Sequence, residues 1–117
     1  MSEHLEEPQK VARARRRLAR PGTTQSLQHI RAVFCEPARL QIVRALSEEE
    51  LSVGDLAAAI GRRVQATSQH LRVLRQLGVV ERERRGRKIY YRLRPNIVVT
   101  QLQGIISTVE ETVAEAG

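Results

Sequence analysis

Residues 61–94 of this chain read GRRVQATSQHLRVLRQLGVVERERRGRKIYYRLR, and this stretch decides the fold. Its first half has the apolar spacing of an amphipathic helix over 64–77, which Gly78 would end. Its second half predicts two strands, 79–84 and 88–93, around a turn at Gly86, because glycine supplies the positive φ that tight hairpins need. We therefore expect a helix followed directly by a β-hairpin.

The same stretch carries most of the positive charge. It holds eleven lysines and arginines against two acids, whereas the whole chain has a net charge of +7, so the remainder is slightly acidic. A helix fits the major groove of a duplex, and a basic hairpin can lie along the neighbouring backbone. The pattern favours double-stranded nucleic acid as the partner.

Composition limits the other possibilities. A chain of 117 residues is sized for one small domain. Its three aromatic residues are too few for the stacking platforms of most single-strand binders. It has no apolar run of about 18 residues, so no membrane interaction of the spanning kind is expected. The lone Cys35 excludes an internal disulfide and suggests a reducing compartment.

Upstream of residue 61 the sequence predicts three helices. The first starts near Thr24, the second begins at Pro37, and the third runs over 53–60 behind the N-cap Ser52 and ends at Gly61. Their apolar stripes are Leu27, Ile30, Val33 and Phe34, then Leu40, Ile42, Val43 and Leu46, then Leu56 and Ile60. The inner stripe of the fourth helix is predicted to be Val64, Leu71, Leu74 and Leu77.

Residues 1–23 are expected to form a basic N-terminal arm, separate from a core of 24–95. The stretch 10–20 is rich in arginine and could be helical, and Pro21-Gly22 would break it. Two interpretations stay open: a solvated, flexible tail, or an additional DNA-contacting arm.

After Pro95 a last helix is predicted, and residues 96–117 are expected to form a dimerisation segment. Its apolar residues are spaced for one long seam of Val98, Leu102, Ile105, Val109 and Val113. The seam could pack back on its own domain. We favour a dimer seam, because the fold is already complete without this helix and β-branched residues suit two-helix pairing.

This order of elements resembles the ArsR/SmtB family of bacterial winged helix-turn-helix repressors over residues 24–113. The resemblance rests on EPARLQIV at 36–43, ELSVGDL at 50–56, SQHLRVL at 68–74, LGVV at 77–80 and RRGRKIYY at 84–91. It implies a mainly α fold with a small β-hairpin, in the order α-α-α-α-β-β-α. It also implies a cytoplasmic homodimer built through the first and last helices, with Leu27 and Ile30 adding to the seam.

The resemblance further implies a sequence-specific transcriptional regulator, a repressor released by an unknown inducer. The recognition helix would be 64–77, in the major groove of an operator, with the wing 84–88 on the backbone. Gln65, Ser68 and Gln69 match positions that face DNA in relatives, and their side chains can hydrogen-bond to base edges. Phosphate contacts are expected from Arg63 and Arg72 and from the wing residues Arg84, Arg85, Arg87 and Lys88. His70 falls in the same motif and is either structural or phosphate-facing.

Two positions depart from the family pattern. Relatives often have Ser or Thr where Arg63 stands, and arginine cannot accept a backbone N–H as an N-cap. Thr67 places a hydroxyl in the inner stripe of the recognition helix, which should weaken that stripe slightly.

The metal sites known in this family are not assembled in the sequence. Ser52-Val53-Gly54 replaces the Cys-Val-Cys thiolate motif, and the final helix has no histidine, only Glu110, Glu111 and Glu115. No cofactor is therefore predicted with certainty. A divalent metal would need a non-standard site across the dimer, drawing on His4, His29, Cys35 and a glutamate of the final helix.

Cys35 has two interpretations. It can be a small buried apolar residue, which is common for a free cysteine, or a redox-sensing thiol. We favour the buried interpretation, since no second cysteine is present to resolve an oxidised thiol within the chain.

Other classes of function have less support. An enzyme is not expected, because no nucleophile–base set and no phosphate-binding glycine loop occurs. The alternative is a winged-helix module that binds protein or RNA without operator specificity.

Overall fold

The computed structural model describes residues 7–117, which form six helices around a small antiparallel sheet. The helices are α1 (Pro8–Leu18), α2 (Thr23–Phe34), α3 (Pro37–Leu46), α4 (Val53–Ile60), α5 (Val64–Gln76) and α6 (Ile97–Ala116). The strands are β1 (Leu51–Ser52), β2 (Val80–Arg85) and β3 (Lys88–Leu93). No helix of the described range is long and apolar enough to cross a membrane.

Local signals in the sequence set the bounds of α3 and α4. Pro37 occupies the first turn of α3, where its missing N–H costs nothing. The Ser52 hydroxyl accepts a hydrogen bond from the Asp55 backbone N–H at 3.3 Å and caps α4. Gly61 ends α4 with a φ of 69°. The predictions for these two helices are confirmed.

The recognition helix α5 ends one residue earlier than expected. Leu77 is its C-cap, and Gly78 follows in the left-handed region with a φ of 75°. At the other end Arg63 occupies the N-cap position with extended backbone and makes no side-chain capping bond. The structure therefore agrees with the expectation that arginine at this position does not cap the helix.

The sheet has three strands in the order β1-β3-β2, all antiparallel. The hairpin turn is tighter than predicted, because Arg85 pairs with Lys88 and only Gly86 and Arg87 lie between the strands. The strand β1 was missed in the sequence. Leu51 and Ser52 pair with Tyr91 and Tyr90, and two residues are too few to produce a periodic pattern.

The core is enclosed by the five helices α2 to α6 and the base of the sheet. Its fully enclosed side chains are Val33, Ile42, Val43, Leu56, Leu71, Leu74, Val79, Val80, Leu102 and Thr67. The predicted inner stripe of α5 is wrong at one position: Val64 is 48% exposed. It lies in the first turn of α5, and Thr67, three residues further on, is fully buried instead.

The final helix divides its apolar residues between two surfaces. Asn96 caps it by accepting a hydrogen bond from the Val99 N–H at 3.0 Å. Val99, Leu102 and Ile106 are buried in the domain core, whereas Ile105, Val109 and Val113 are exposed. The predicted single seam is therefore wrong for Leu102, which is enclosed within its own protomer, and Val98 is half-buried against the same core.

The basic segment forms α1, with none of its residues buried. The turn at 19–22 separates it from α2, and Gly22 adopts a φ of 78° there. The sequence allowed a helix in this segment, and the structure contains one. The domain divisions at 23/24 and 95/96 stay predictions.

Candidate nucleic-acid interface

The outer face of α5 is polar and open to solvent. Gln65, Ser68, Gln69 and Arg72 are all exposed, while Leu71 and Leu74 anchor the opposite face in the core. The Thr67 hydroxyl is buried and donates a hydrogen bond to the Arg63 carbonyl at 2.9 Å, so its polarity is satisfied. His70 is half-buried beside this face. The rigid packing of α5 holds its polar side chains outward on one side.

The first turn of α5 has exposed cations beside uncapped backbone amides. Arg62 and Arg63 are exposed, and the Arg63 side chain does not cap the helix. The first N–H groups of a helix have no partner inside the helix. This end of α5 can therefore accept an anion from both side-chain and backbone donors.

One face of the sheet carries a network of ion pairs. Arg85 contacts Glu50 at 2.6 Å and Glu83 at 2.7 Å, and Arg92 contacts Glu81 at 2.7 Å and Glu83 at 3.0 Å. The register explains the network, because Glu81 lies opposite Arg92 and Glu83 opposite Tyr90. Hydrogen bonds from Arg85 and then Arg92 lower the pKa of the Glu83 carboxyl below its ordinary value of 4.5.

This network separates the wing cations into two groups. Arg85 is held by two carboxylates and lies over the Tyr90 ring, 5.0 Å from its centroid, so it is less available to DNA than its neighbours, and its phosphate contact stays a prediction. Arg84, Arg87 and Lys88 are exposed, and none has a carboxylate within 4 Å among residues 7–117. Arg84 only donates to the Gly86 carbonyl at 3.3 Å.

A basic groove joins α5 to the wing. Its volume is about 570 Å³, and its lining includes Arg72, Arg75, Gln76, Arg82 and Arg94. Arg94 is drawn towards Glu81 at 3.6 Å, which leaves Arg72, Arg75 and Arg82 as the open cations. Sequence reasoning missed Arg75 and Arg82. The three-residue step from Arg72 to Arg75 was the signal for Arg75, since it places both on one helix face.

The soft-ligand candidates do not assemble within one chain. No group of three or more His, Cys, Asp or Glu side chains suited to a metal occurs in the described part of the chain, and His4 lies outside it. His29 is half-buried in α2. The buried interpretation of Cys35 is wrong: its thiol is exposed at the C-cap of α2, with the Ala32 carbonyl 3.6 Å away. The loop before Pro37 turns this position outward.

A second surface, away from α5, is apolar. Leu27 of α2 is 58% exposed, and Ile105 and Val109 of α6 are 41% and 55% exposed. These side chains line a groove of about 900 Å³ between the start of α2 and the middle of α6, with Ile30 and Gly104. Isolated exposed apolar side chains are ordinary, but a contiguous patch marks an interaction surface.

Comparisons with known proteins agree with this architecture. The sequence profile of the family described as "Bacterial regulatory protein, arsR family" matches residues 36–82. The cadmium resistance transcriptional regulatory protein CadC of Listeria innocua is 37% identical over 107 residues, covering 90% of this chain and 88% of the relative. A transcriptional repressor SmtB homolog of Synechocystis is 34% identical over 88 residues, covering 75% of this chain and 67% of the relative.

Solved structures give the same result. The transcriptional repressor BigR from Xylella fastidiosa superimposes with a TM-score of 0.64 at 32% identity, covering 73% of this chain and 87% of that chain.

Proposed function

This chain belongs to the ArsR family of bacterial regulatory proteins, and we propose that it acts as a homodimeric repressor whose two α5 helices read an operator. It is a DNA-binding transcriptional regulator and not an enzyme. The observation that carries this proposal is the open polar face of α5, flanked on both sides by cations that form no ion pair with residues 7–117. The alternative of a protein- or RNA-binding module is not favoured.

Base reading is assigned to three side chains of that face. Gln65 and Gln69 are four residues apart, so they lie one turn apart on the same side of α5, with Ser68 beside them. A glutamine amide can both donate and accept, which matches the paired donor and acceptor of adenine in the major groove. Together they give α5 the means to prefer one sequence over another.

Phosphate binding is assigned to the cations around α5. Arg63 and the uncapped first turn of α5 would contact phosphates of one DNA strand. Phosphates of the other DNA strand would be contacted from the basic groove by Arg72, Arg75 and Arg82. Arg84, Arg87 and Lys88 at the wing tip add contacts to the backbone. His70 is half-buried, so we assign it a supporting position. These contacts fix the register of the protein on the duplex without reading its sequence.

Dimerisation is assigned to the apolar surface of α2 and α6. Leu27, Ile105, Val109 and Val113 are exposed, and a second copy would remove them from water. Ile30 and Val98 contribute their half-exposed edges. A two-fold dimer places two copies of α5 on one side, as a palindromic operator requires.

The inducer is not assigned to a metal site within one chain. Some relatives are named for metal resistance, as CadC is for cadmium. Here Ser52-Val53-Gly54 offers no thiolate, and His29 and the exposed Cys35 meet no third ligand in the described range. These residues do not fit a resident metal in a single protomer, so we derive no step through one.

The proposal is tested by titrating the protein on DNA from upstream of its own gene and on an unrelated fragment of equal length. We expect tighter binding to the upstream fragment at near-physiological salt. Gln69→Ala should reduce the preference between the two fragments by about tenfold, since one good bidentate contact discriminates by roughly 1–3 kcal/mol. Arg87→Ala should weaken binding to both equally and flatten the salt dependence.

Two results would count against the proposal. Equal, weak and salt-sensitive binding to both fragments would mean that the surface is basic but does not read sequence. An unchanged preference in the Gln69 variant would remove α5 from the role of reader. A parallel series with Zn²⁺, Cd²⁺ and a thiol oxidant tests the inducer class, since release by one of them identifies it.

A further inference from the structure

The helix α1 carries a stripe of arginines that the operator-reading surface does not use. Residues 7–20 contain six cations and a single acid, Glu7, which pairs with Lys10 at 2.9 Å. Arg13, Arg16, Arg17 and Arg20 line one surface together. Their spacing of 3, 1 and 3 residues places them on one helix face. We name these four residues the arginine stripe.

Among residues 7–117 the stripe supports no other part of the fold. No residue of α1 is buried, and all four arginines are exposed. Like charges three and four residues apart repel each other and weaken a helix. Arg20 stays in line although α1 ends at Leu18, because its N–H bonds to the Arg17 carbonyl at 3.3 Å. Four exposed and aligned cations of this kind are suited to binding a polyanion.

We propose that the arginine stripe binds the phosphate backbone of the same DNA duplex, outside the major grooves that α5 occupies. This inference rests on the proposed function, because the duplex that α5 would hold is the one that the stripe would contact. The stripe is about 10 Å long, from the seven steps of about 1.5 Å between Arg13 and Arg20. A duplex carries one phosphate for roughly every 1.7 Å of its axis, so several phosphates lie within that reach.

The chemistry of α1 favours DNA over a lipid surface. The side opposite the stripe offers only Val11 and Leu18 as apolar residues, with Arg15 between them, and Ala14 lines the same surface as the stripe. A membrane-surface helix needs a broad apolar face beneath its cations. Phosphate contacts need no apolar face, and guanidinium groups bind phosphate with paired hydrogen bonds. Such contacts would add affinity without sequence preference.

The test compares two full-length variants that each lose two charges. Arg13→Gln with Arg17→Gln removes half of the stripe. Arg15→Gln with Arg31→Gln is the matched control, since Arg15 lies off the stripe and Arg31 is exposed on α2. Because α1 buries nothing, both variants should keep the fold, which thermal melting verifies. Each protein is titrated over a salt series on an operator selected in vitro by the native chain and on a base-shuffled copy.

We expect the stripe variant to bind both duplexes about tenfold more weakly or worse at near-physiological salt, by the same factor on each. Its log–log salt slope should flatten by about 2 to 4, since a dimer loses up to four phosphate contacts. The control should stay close to the native protein. The preference for the operator should not change, because the stripe reads no bases.

Three results would overturn the inference. The stripe variant could match the native protein in affinity and salt slope, or the control could lose as much as the stripe variant. The stripe variant could also bind DNA normally but no longer bind vesicles of phosphatidylglycerol and phosphatidylcholine, which would assign the stripe to a membrane. Failure of the native chain to prefer any selected operator would instead refute the proposed function.

Discussion

At the scale of single residues, ion pairs with carboxylates distinguish the wing cations that are held by the fold from those that are open to DNA phosphates. Arg85 and Lys88 face each other across the hairpin, yet Arg85 is held by Glu50 and Glu83 while Lys88 is exposed. The sequence could not distinguish them, because Glu50 reaches Arg85 from 35 residues away. Charge counting predicts that a wing is basic, but the strand register determines which charges are open.

The Glu83 network makes a pH prediction. Its pKa is lowered by hydrogen bonds from Arg85 and Arg92, so the pairing stabilises the folded wing above the ordinary value of 4.5. That contribution is lost as the pH falls through the lowered pKa of the folded state. A carboxyl NMR titration should place the Glu83 midpoint below 4.5, and Arg85→Gln should move it upward. If the Glu83 midpoint is the same in the Arg85→Gln variant, the ion-pair network does not set the pKa of Glu83.

Thr67 gives a stability prediction at the same scale. Its hydroxyl bonds to the Arg63 carbonyl, which also accepts the Thr67 backbone N–H at 3.0 Å. Thr67→Val therefore leaves that carbonyl satisfied and replaces a buried hydroxyl with a methyl group. We expect the free energy of unfolding to rise by up to about 1 kcal/mol in urea titrations. A loss of more than about 1 kcal/mol would mean that the hydroxyl itself holds the first turn of α5.

At the scale of elements, local chemistry predicted most of the helices, and the errors occurred where long-range packing decides. Pro37, Ser52 and Gly61 set the bounds of α3 and α4 correctly because each acts on its own backbone. Cys35 turned outward because of the α2–α3 corner, which no periodicity reveals. Val64 fits an apolar stripe by spacing, but it is exposed in the first turn of α5.

Asn96 joins two elements and carries an element-scale prediction. Its side chain accepts the Val99 N–H at 3.0 Å to cap α6 and donates to the Gly78 carbonyl at 2.8 Å behind α5. Asn96→Ala removes both bonds, so we expect a loss of about 1–2 kcal/mol in the free energy of unfolding. Thr100→Ala, which loses only a solvent-facing bond to the Asn96 carbonyl, is the control. Equal losses in both variants would refute the linking role.

At the scale of the whole molecule, the proposed operator binding requires two copies of the chain. The sequence predicted one seam along α6, whereas the fold buries Leu102 and leaves Ile105, Val109 and Val113 outside. The spacing of apolar residues cannot separate a core face from an interface when both run along one helix. In the structure, the position of α2 beside α6 shows which face of α6 belongs to the core and which face is left exposed.

Val109→Glu tests the interface directly. A charge placed in an apolar interface is costly to remove from water. We expect the variant to sediment as a monomer at concentrations where the native chain is a dimer, and to bind the operator at least tenfold more weakly. Ser107→Glu puts the same charge on an exposed position of α6 and should behave like the native protein. Dimeric sedimentation of the Val109 variant would place the interface elsewhere.

The central claim is that two copies of α5 lie in major grooves on one face of a duplex. Dimethyl sulfate footprinting of the bound upstream fragment tests it most directly, because the reagent attacks guanine N7 in the major groove. We predict two protected patches about one helical turn apart, roughly 10 base pairs or a multiple of it, and weaker protection at equal protein concentration with Gln69→Ala. Binding that leaves every guanine N7 reactive would contradict the claim.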